Sequence, residues 1–229
     1  MLGILAPMQQ ELDAVRAGFD ADRAERVMGR TFHRGVEGGH DAVAVISGIG
    51  KTAVATTTTL LIERFGVNEV LLIGVAGAVA AGLAQGDVVV ASELVHHDLD
   101  ARPIFPRYEV PGHGTGRLRA DAALGERALA AASQLAAAEG TRALRGPIAS
   151  GDQFLGPQAL AELRARLPDV LAVEMEGAAV AQVCIEAGVP CAVVRTISDD
   201  GDPGEFARFL ERDAGRYAHE LVGRLLASG

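Results

Sequence analysis

Residues 170–188 read VLAVEMEGAAVAQVCIEAG, and the hydrophobic period changes in the middle of this stretch. Its first four residues form a short apolar run after a proline and an aspartate, as is typical of a buried strand. From residue 178 the apolar side chains recur at helical spacing as far as Gly188, a residue type that often ends a helix. The stretch therefore predicts a buried strand followed directly by a helix, as in α/β proteins.

Two acidic residues stand at the junction between that strand and that helix. Glu174 and Glu176 flank Met175, and residues two apart on a strand share a face. Both carboxylates should therefore project together at the carboxyl end of the strand, where open α/β sheets bind ligands. A single glutamate there could simply interact with the positive end of the helix dipole. Two acids in this arrangement favour a functional site.

The composition of the chain limits the kinds of partner it can have. The 229 residues are 49% hydrophobic, which is ample for a core, and they carry a net charge of -9. Because that charge opposes binding to a phosphate backbone, we expect no nucleic-acid partner. No stretch approaches the length of a membrane span, and no basic region precedes the first apolar run. We therefore expect no membrane partner and a cytoplasmic location.

The sequence contains residue types that can bind metals or form disulfides, but their arrangement indicates neither a metal site nor a disulfide. Cys184 and Cys191 lie within apolar patterns, so we expect buried free thiols. Residues 96–100 read HHDLD, but adjacent strand residues face opposite ways and cannot all converge on one ion. We expect hydrogen bonds within a loop there, and neither a metal nor any other cofactor.

The remaining chain alternates between apolar runs and helical periodicity. We predict strands at 2–6, 27–34, 40–47, 69–73, 87–95, 144–150 and 190–197, and helices at 8–18, 51–65, 120–138, 157–166 and 204–227. Alternation of this kind predicts an α/β fold, and a hairpin near the start makes the central sheet mixed, with helices flanking it. No linker or repeat is visible, so we expect a single domain over residues 1–229.

Residues 101–116 form the longest segment without a regular pattern. The segment contains three prolines and three glycines, and it also carries the apolar side chains Ile104, Phe105 and Tyr108. Apolar loops of this length usually cover a site or contact another subunit. Because the protein is so acidic, we expect this apolar cluster to be buried against a second copy of the chain. The alternative is that the loop folds back on its own domain.

Two glycine-rich stretches invite nucleotide-binding interpretations that their spacing does not support. Residues 47–52 read SGIGKT, but a phosphate-binding loop needs glycine where Val45 stands. Residues 74–78 read GVAGA, and this spacing does not supply the dinucleotide-binding pattern. We expect a strand-to-helix turn in the first case, and in the second a strand end where small residues let the backbone approach a ligand.

Several groups with useful chemistry lie at or just after the ends of apolar strands. They are Glu11, Gly77, Phe154, Glu174, Glu176 and Asp199. Strand ends on one edge of a sheet would gather these groups into one crevice. Carboxylates without a metal or a nucleophile triad suit acid–base hydrolysis of an uncharged or cationic centre. The aromatic ring is a plausible stacking surface.

Five stretches carry a resemblance to a known family. They are 3–11 (GILAPMQQE), 47–51 (SGIGK), 150–154 (SGDQF), 173–176 (VEME) and 195–199 (RTISD). With the lengths between them, the chain resembles the 5'-methylthioadenosine/S-adenosylhomocysteine nucleosidases of the purine nucleoside phosphorylase and uridine phosphorylase superfamily. The last two stretches are the most specific. The resemblance implies a nucleoside phosphorylase-like fold and hydrolysis of the N-glycosidic bond of those two nucleosides and related 5'-deoxyadenosines, with release of adenine.

The resemblance also implies catalytic roles. Asp199 would be the general acid that protonates N7 of adenine. Glu11 would orient and deprotonate the attacking water, with Arg195 and Glu174 helping to hold it. This agrees with physical expectation, because glycosidic cleavage builds positive charge on the sugar, which nearby carboxylates stabilise. The acid must keep its proton near neutrality, far above the ordinary aspartate pKa of about 3.9.

A further set of residues would bind the substrate. By the same resemblance, Glu176 would accept hydrogen bonds from the ribose hydroxyls and Met175 would pack under the sugar. Phe154 would stack on the purine, and the backbone of Leu155 would read its edge.

Three more positions complete the set. Gly77 and Met8 would line the same site, and the loop around 101–105, with Phe105, would reach the 5' substituent in the neighbouring subunit of a homodimer.

The chain departs from the family at the 74–77 turn. Val75 stands where the family usually has serine, which leaves the preferred substrate open, and futalosine hydrolase therefore remains an alternative. A phosphorolytic purine nucleoside phosphorylase would need arginines near the first strand, but Arg16 lies later, in the predicted helix. A nucleoside-binding or storage protein is the alternative outside enzymes. Neither Glu11 nor Asp199 would be needed for binding alone.

Overall fold

The computed structural model describes residues 1–20 and 23–227. Over these ranges the chain forms a mixed β-sheet flanked by helices. The strands are β1 Leu2–Ala6, β2 Arg23–Val27, β3 Arg30–Glu37, β4 His40–Ile46, β5 Glu69–Leu72, β6 Val75–Ala78, β7 Val88–His96, β8 Leu118–Arg119, β9 Ala143–Ser150, β10 Ala172–Glu174 and β11 Cys191–Asp199.

Helices follow most of the strands, as the alternating pattern predicts. They are α1 Gln9–Arg16, α2 Lys51–Phe65, α3 Ala122–Glu139, α4 Pro157–Arg166, α5 Gly177–Ala187, α6 Pro203–Phe209 and α7 Gly215–Ala227. Gly66 and Gly188 end α2 and α5 with φ of +66°, a left-handed conformation that favours glycine.

The strand order is β2-β3-β4-β1-β5-β11-β6-β10-β9-β7-β8, and β11 also pairs with β7. Strands β11, β6, β10, β9 and β7 therefore form a closed ring. The long strand β11 makes this possible because it pairs with β5 near its start, β7 in its middle and β6 near its end. At its carboxyl end Asp199 lies beside Gly77 of β6.

Two layers of helices cover the sheet. Helices α1, α3 and α7 pack together on one side, where their apolar residues form one core cluster with residues of the sheet. Helices α2 and α5 pack together on the other side and belong to a second cluster. The mixed α/β fold with flanking helices is thus confirmed.

The structure corrects several predicted boundaries. Residues Val75–Ala78 form strand β6, because their backbone pairs with β10 and β11. The hairpin strand predicted at 27–34 spans Arg30–Glu37, and an unpredicted strand, β2, precedes it. Strand β2 is polar and lies at the sheet edge, so it lacks the apolar alternation that reveals a half-buried strand. The helix predicted at 204–227 is interrupted by a π-helical segment at Leu210–Ala214.

Two smaller expectations concern the cysteines and membrane spans. Cys184 and Cys191 are buried free thiols, as predicted. Within residues 1–20 and 23–227, every helix is too short or too polar to cross a membrane.

Candidate active site

A pocket with an empty volume of about 660 Å³ opens where the carboxyl ends of several strands meet. Its lining residues are Pro7, Met8, Glu11, Ile49, Val75, Ala76, Gly77, Gln153, Phe154, Leu155, Val173, Glu174, Met175, Glu176, Arg195, Ser198, Asp199 and Phe206. Strands β6, β10 and β11 supply eight of them, and the segments that follow β1, β4, β9, β10 and β11 supply the others. This is the position at which α/β sheets bind ligands.

The structure brings together ten of the residues predicted from the sequence. Met8, Glu11, Gly77, Phe154, Leu155, Glu174, Met175, Glu176, Arg195 and Asp199 all line this pocket. Phe105 lies elsewhere, in the loop between β7 and β8, and does not line the pocket of its own chain. Its predicted contact with a neighbouring subunit stays a prediction.

Arg195 is the buried centre of the polar part of the site, with 0% of its surface exposed. Its guanidinium donates hydrogen bonds to the carboxylate of Glu174 and, over 3.1 Å, to Oε2 of Glu176. It also donates to the carbonyl oxygen of Ile73 over 2.9 Å. One buried cation thus holds two carboxylates that come from the same strand-to-helix junction.

Glu174 accepts hydrogen bonds at both of its oxygens. The amides of Glu176 and Gly177 donate to it over 2.8–3.0 Å, and the hydroxyl of Ser150 donates as well. These amides lie at the N-terminus of α5, which favours a negative charge. With Arg195 added, Glu174 is fully engaged by protein groups and serves to hold its neighbours in place.

Glu176 accepts fewer hydrogen bonds from protein groups than Glu174 does. Its Oε1 accepts a hydrogen bond from the amide of Gly50 over 2.8 Å, and its Oε2 accepts from Arg195. Burial raises its pKa to about 7, with Arg195 lowering the pKa and the charge of Glu174 raising it. A carboxylate with this balance keeps free lone pairs toward the pocket and takes up a proton close to neutral pH.

Glu11 lies in the first turn of α1, buried beside the pocket. Its Oε2 accepts a hydrogen bond from the amide of Met8 over 3.0 Å, as a carboxylate at this helix position often does. Its Oε1 is buried and has no hydrogen-bond partner among the described residues. Burial raises the pKa of Glu11 to about 7, while Arg195 and the Met8 amide lower it and Glu176 raises it. These properties suit a general base.

Asp199 lies at the end of β11 on another part of the pocket lining. Its Oδ2 accepts a hydrogen bond from the hydroxyl of Ser198 over 2.7 Å, and its Oδ1 accepts from the amide of Gly201 over 2.8 Å. Burial raises its pKa above the ordinary value, the two hydrogen bonds lower it, and Asp200 and Asp202 raise it. The net direction is upward, as a general acid requires.

The rest of the pocket is apolar and partly open. Phe154 is 48% exposed and meets Phe206 edge-on, with ring centroids 5.8 Å apart. Ile49, 57% exposed, lines the same pocket, as does Met175. An exposed aromatic ring beside such side chains is a surface on which a flat heterocycle can stack.

The lining residues that sequence reasoning did not select include Ile49, Gln153, Ser198 and Phe206. The first three lie inside stretches already singled out, so the strand-end argument could have included them. Phe206 comes from α6, and nothing in its helical pattern connects it with the pocket.

The histidine-rich stretch lies outside the pocket lining. His96 and His97 are buried, and burial lowers the pKa of both rings. In the part of the chain that the structure describes, no group of three or more histidine, cysteine or acidic side chains is placed to hold a metal ion.

The fold and this pocket place the chain first in a broad class. Residues 1–227 match the model of the Phosphorylase superfamily. A curated 5'-methylthioadenosine/S-adenosylhomocysteine nucleosidase from Geobacillus kaustophilus is 38% identical over 229 residues, covering 98% of this chain and 95% of the relative.

Solved structures are similar over nearly the whole length. The same kind of nucleosidase from Colwellia psychrerythraea, crystallised with adenine, superposes with a TM-score of 0.92 at 35% identity, covering 98% of this chain and 93% of the other. A futalosine hydrolase from Helicobacter pylori superposes with a TM-score of 0.87 at 34% identity, covering 98% and 96%. The chain therefore belongs to the phosphorylase superfamily and, within it, to the family of the 5'-methylthioadenosine/S-adenosylhomocysteine nucleosidases.

Proposed function

We propose that this protein hydrolyses the N-glycosidic bond of 5'-methylthioadenosine and S-adenosylhomocysteine and releases adenine. One observation carries the proposal. A single pocket holds three carboxyl groups with raised pKa, Glu11, Glu176 and Asp199, next to an exposed aromatic ring. The names of the relatives and the adenine bound to one of them support the substrate class.

Asp199 acts as the general acid in this proposal. Protonation of the adenine ring at N7 makes the base a neutral leaving group, so the glycosidic bond breaks more easily. The raised pKa of Asp199 keeps more of the carboxyl protonated than an ordinary aspartate would be. The hydroxyl of Ser198 and the amide of Gly201 orient the carboxyl group. A proton transfer of this kind is typically worth ~100- to 10,000-fold in rate.

Glu11 acts as the general base that takes a proton from the attacking water. Its Oε2 is fixed by the Met8 amide, which leaves the unpaired Oε1 for the water. A base with a pKa of about 7 is well matched to proton transfer at neutral pH. Arg195 lies close enough to influence Glu11 and limits how far burial raises its pKa.

Positive charge develops on the ribose as the bond to adenine breaks. The cluster formed by Glu11, Glu174, Glu176 and Arg195 contains three carboxylates and one cation, so it is net negative when ionised. A negative cluster in a largely buried pocket stabilises the sugar cation more than it stabilises the neutral substrate. Glu176, with lone pairs not taken by protein donors, is the group that binds the ribose hydroxyls.

Water rather than phosphate is the nucleophile in this proposal. Among the described lining residues Arg195 is the one basic side chain, and two carboxylates already occupy it. The N-terminus of α2 is also taken, because the amides of Gly50 and Lys51 donate to the carboxylates of Glu176 and Asp152. A phosphate ion would need free cations or free amides.

The test is incubation with 5'-methylthioadenosine and with S-adenosylhomocysteine, each with and without phosphate, followed by chromatography of the products. We expect adenine and a free reducing sugar at rates that do not depend on phosphate. Glu11→Gln serves as the inactive control. A sugar 1-phosphate would overturn hydrolysis, and no release of adenine would overturn the whole assignment.

Futalosine hydrolysis is the second candidate. Val75 places an apolar side chain in the pocket where the family usually has serine, and a futalosine hydrolase superposes well on this chain. Including futalosine in the same incubation decides between the two. A kcat/KM for futalosine above that for 5'-methylthioadenosine would reverse the assignment.

The proposal takes residues 1–229 as one nucleosidase domain acting as a homodimer. Support for the dimer comes from the loop between β7 and β8, where Ile104 is 81% exposed. Together with the half-buried Phe105 it offers an apolar surface that a second subunit would cover, whereas Tyr108 packs against a core cluster of its own chain. In that arrangement Phe105 contributes to the partner's 5' substituent site.

A further inference from the structure

Lys51 is the charged residue of the glycine-rich stretch at 47–52, and the proposed reaction does not use it. Its Nζ lies 2.6 Å from Oδ1 of Asp98 and 3.9 Å from Oδ2 of Asp152. The side chains of Lys51 and Asp98 are each 23% exposed. The ammonium is therefore bound by two carboxylates of the protein itself.

Two backbone hydrogen bonds complete a triangle between these residues. The amide of Lys51 donates to Oδ1 of Asp152 over 2.8 Å, and the amide of Asp152 donates to Oδ2 of Asp98 over 3.0 Å. The three residues lie in segments distant in sequence: the start of α2, the segment after β7 and the segment after β9. Partial burial raises the pKa of Asp98, but the bonds from Lys51 and from the Asp152 amide more than offset this and hold it below its ordinary value.

Two residues of this triangle, Lys51 and Asp152, are close in sequence to residues that line the pocket. Ile49 precedes Lys51 by two residues and Phe154 follows Asp152 by two, and both line the pocket. Both are about half exposed, and the ring contact of Phe154 is the edge contact with Phe206. Packing alone therefore holds these two apolar walls weakly, and their backbone attachments matter more.

We propose that Lys51, Asp98 and Asp152 form a positioning network that fixes the Ile49 and Phe154 walls of the pocket for binding of the nucleoside. This inference rests on the proposed function, because it assigns the walls to a purine nucleoside. None of the three residues lines the pocket or contacts the groups that transfer protons. Loosening the network should therefore weaken substrate binding and leave the chemical step almost unchanged.

The two aspartates should respond differently to loss of charge. Asp98 accepts with both oxygens, one from Lys51 and one from the Asp152 amide. An asparagine there has one acceptor oxygen, so one bond must break. Asp152 uses Oδ1 for a hydrogen bond, and its Oδ2 makes only the long contact with Lys51. Asp152→Asn can therefore keep the important bond.

The experiment measures KM and kcat for 5'-methylthioadenosine with Asp98→Asn, Lys51→Met and Asp152→Asn. We expect Asp98→Asn and Lys51→Met each to raise KM about fivefold to tenfold with kcat nearly unchanged. This is the effect expected from losing one charge-assisted hydrogen bond at a partly exposed site. Asp152→Asn should raise KM much less, and Lys51→Arg should recover most of the wild-type value. Glu25→Gln is the matched control, because Glu25 makes a 2.9 Å surface ion pair with Arg64 far from the pocket.

Hydrogen exchange of the Asp152 amide provides a readout that does not depend on turnover. It should accelerate in Asp98→Asn and stay at the wild-type rate in Glu25→Gln. An unchanged KM in both Asp98→Asn and Lys51→Met would overturn the network, as would a fall in kcat equal to the rise in KM. If the wild-type protein cleaves no nucleoside, the proposed function fails, and the exchange rates alone then show whether the triangle holds its segment.

Discussion

Replacing Glu11 by glutamine should stabilise the protein at alkaline pH and lower its activity by orders of magnitude. Burial raises the pKa of this carboxyl from 4.5 to about 7 in the folded protein. The ionised form is therefore less favourable in the folded protein than in the unfolded chain. Removing the ionisable group removes this penalty along with the proposed general base.

The direction in which stability changes with pH follows from which state, folded or unfolded, binds the proton more tightly. Below pH 4.5 the group is protonated in both states, so it imposes no penalty. Between 4.5 and about 7 the unfolded chain has lost the proton and the folded protein still holds it, so stability falls as pH rises. Above about pH 7 the folded protein has also lost the proton, and the decrease in stability is complete. At about 1.4 kcal/mol for each pH unit, the penalty reaches about 3 kcal/mol.

Glutamine has nearly the shape of glutamate and can still accept the hydrogen bond from the Met8 amide. Its NH₂ group would stand where Oε1 lacks a partner, at a pH-independent cost of about 1–2 kcal/mol. The difference in free energy of unfolding between Glu11→Gln and the wild type should therefore shift by about 2–3 kcal/mol in favour of the variant as the pH rises from 5 to 8.5. Its kcat should fall ~100- to 10,000-fold.

Urea unfolding at the two pH values, together with adenine release, provides the measurement. Glu63→Gln is the control, because Glu63 is an exposed carboxylate on α2 and should leave the pH dependence as in the wild type. The reasoning fails if Glu11→Gln shows the same pH dependence of stability as the wild type. Near-normal turnover by this variant would remove Glu11 from the role of base.

Three further predictions test other parts of the site. Asp199→Asn should keep the fold and lower kcat ~100- to 10,000-fold in an adenine-release assay, and normal turnover would exclude Asp199 as the acid. Arg195→Met should lower the free energy of unfolding by about 3–5 kcal/mol, because Glu174 and Glu176 lose their buried cation. Urea unfolding measures this, and an unchanged midpoint would contradict it. Phe105→Asp should weaken dimer association in sedimentation experiments and raise the KM for 5'-methylthioadenosine, whereas a monomer with unchanged kinetics would refute a shared site.

The sequence by itself determined the local features of this protein. The change of period at residues 170–188 predicted strand β10 and helix α5, because backbone periodicity depends on neighbouring residues alone. The strand-end argument together with the family resemblance selected ten residues that line one pocket. Within each set of parallel strands, β1 with β5 and β11 on one hand and β9 with β10 on the other, the carboxyl ends lie at the same edge wherever the strands lie in the chain. The two sets are joined by antiparallel pairs, β6 with β10 and β7 with β11, so closure of the ring brings them to one pocket.

The tertiary structure decided what depends on contacts between distant segments. Strand β6 has a sequence of small residues that looks like a turn, and pairing with β10 and β11 makes it a strand. The pairing of β11 with β7, which closes the ring, leaves no local pattern in either strand.

Contacts between distant segments also decided the pKa values and ion pairs of the charged residues. The pKa of Glu11 is raised because the fold removes it from water, and the charge of Arg195, 184 positions away in the chain, offsets only part of this effect. Lys51 binds Asp98 and Asp152 from two other segments, although its own stretch resembles a phosphate loop. Burial and ion pairing are properties of assembled segments, so a list of residue types cannot supply them.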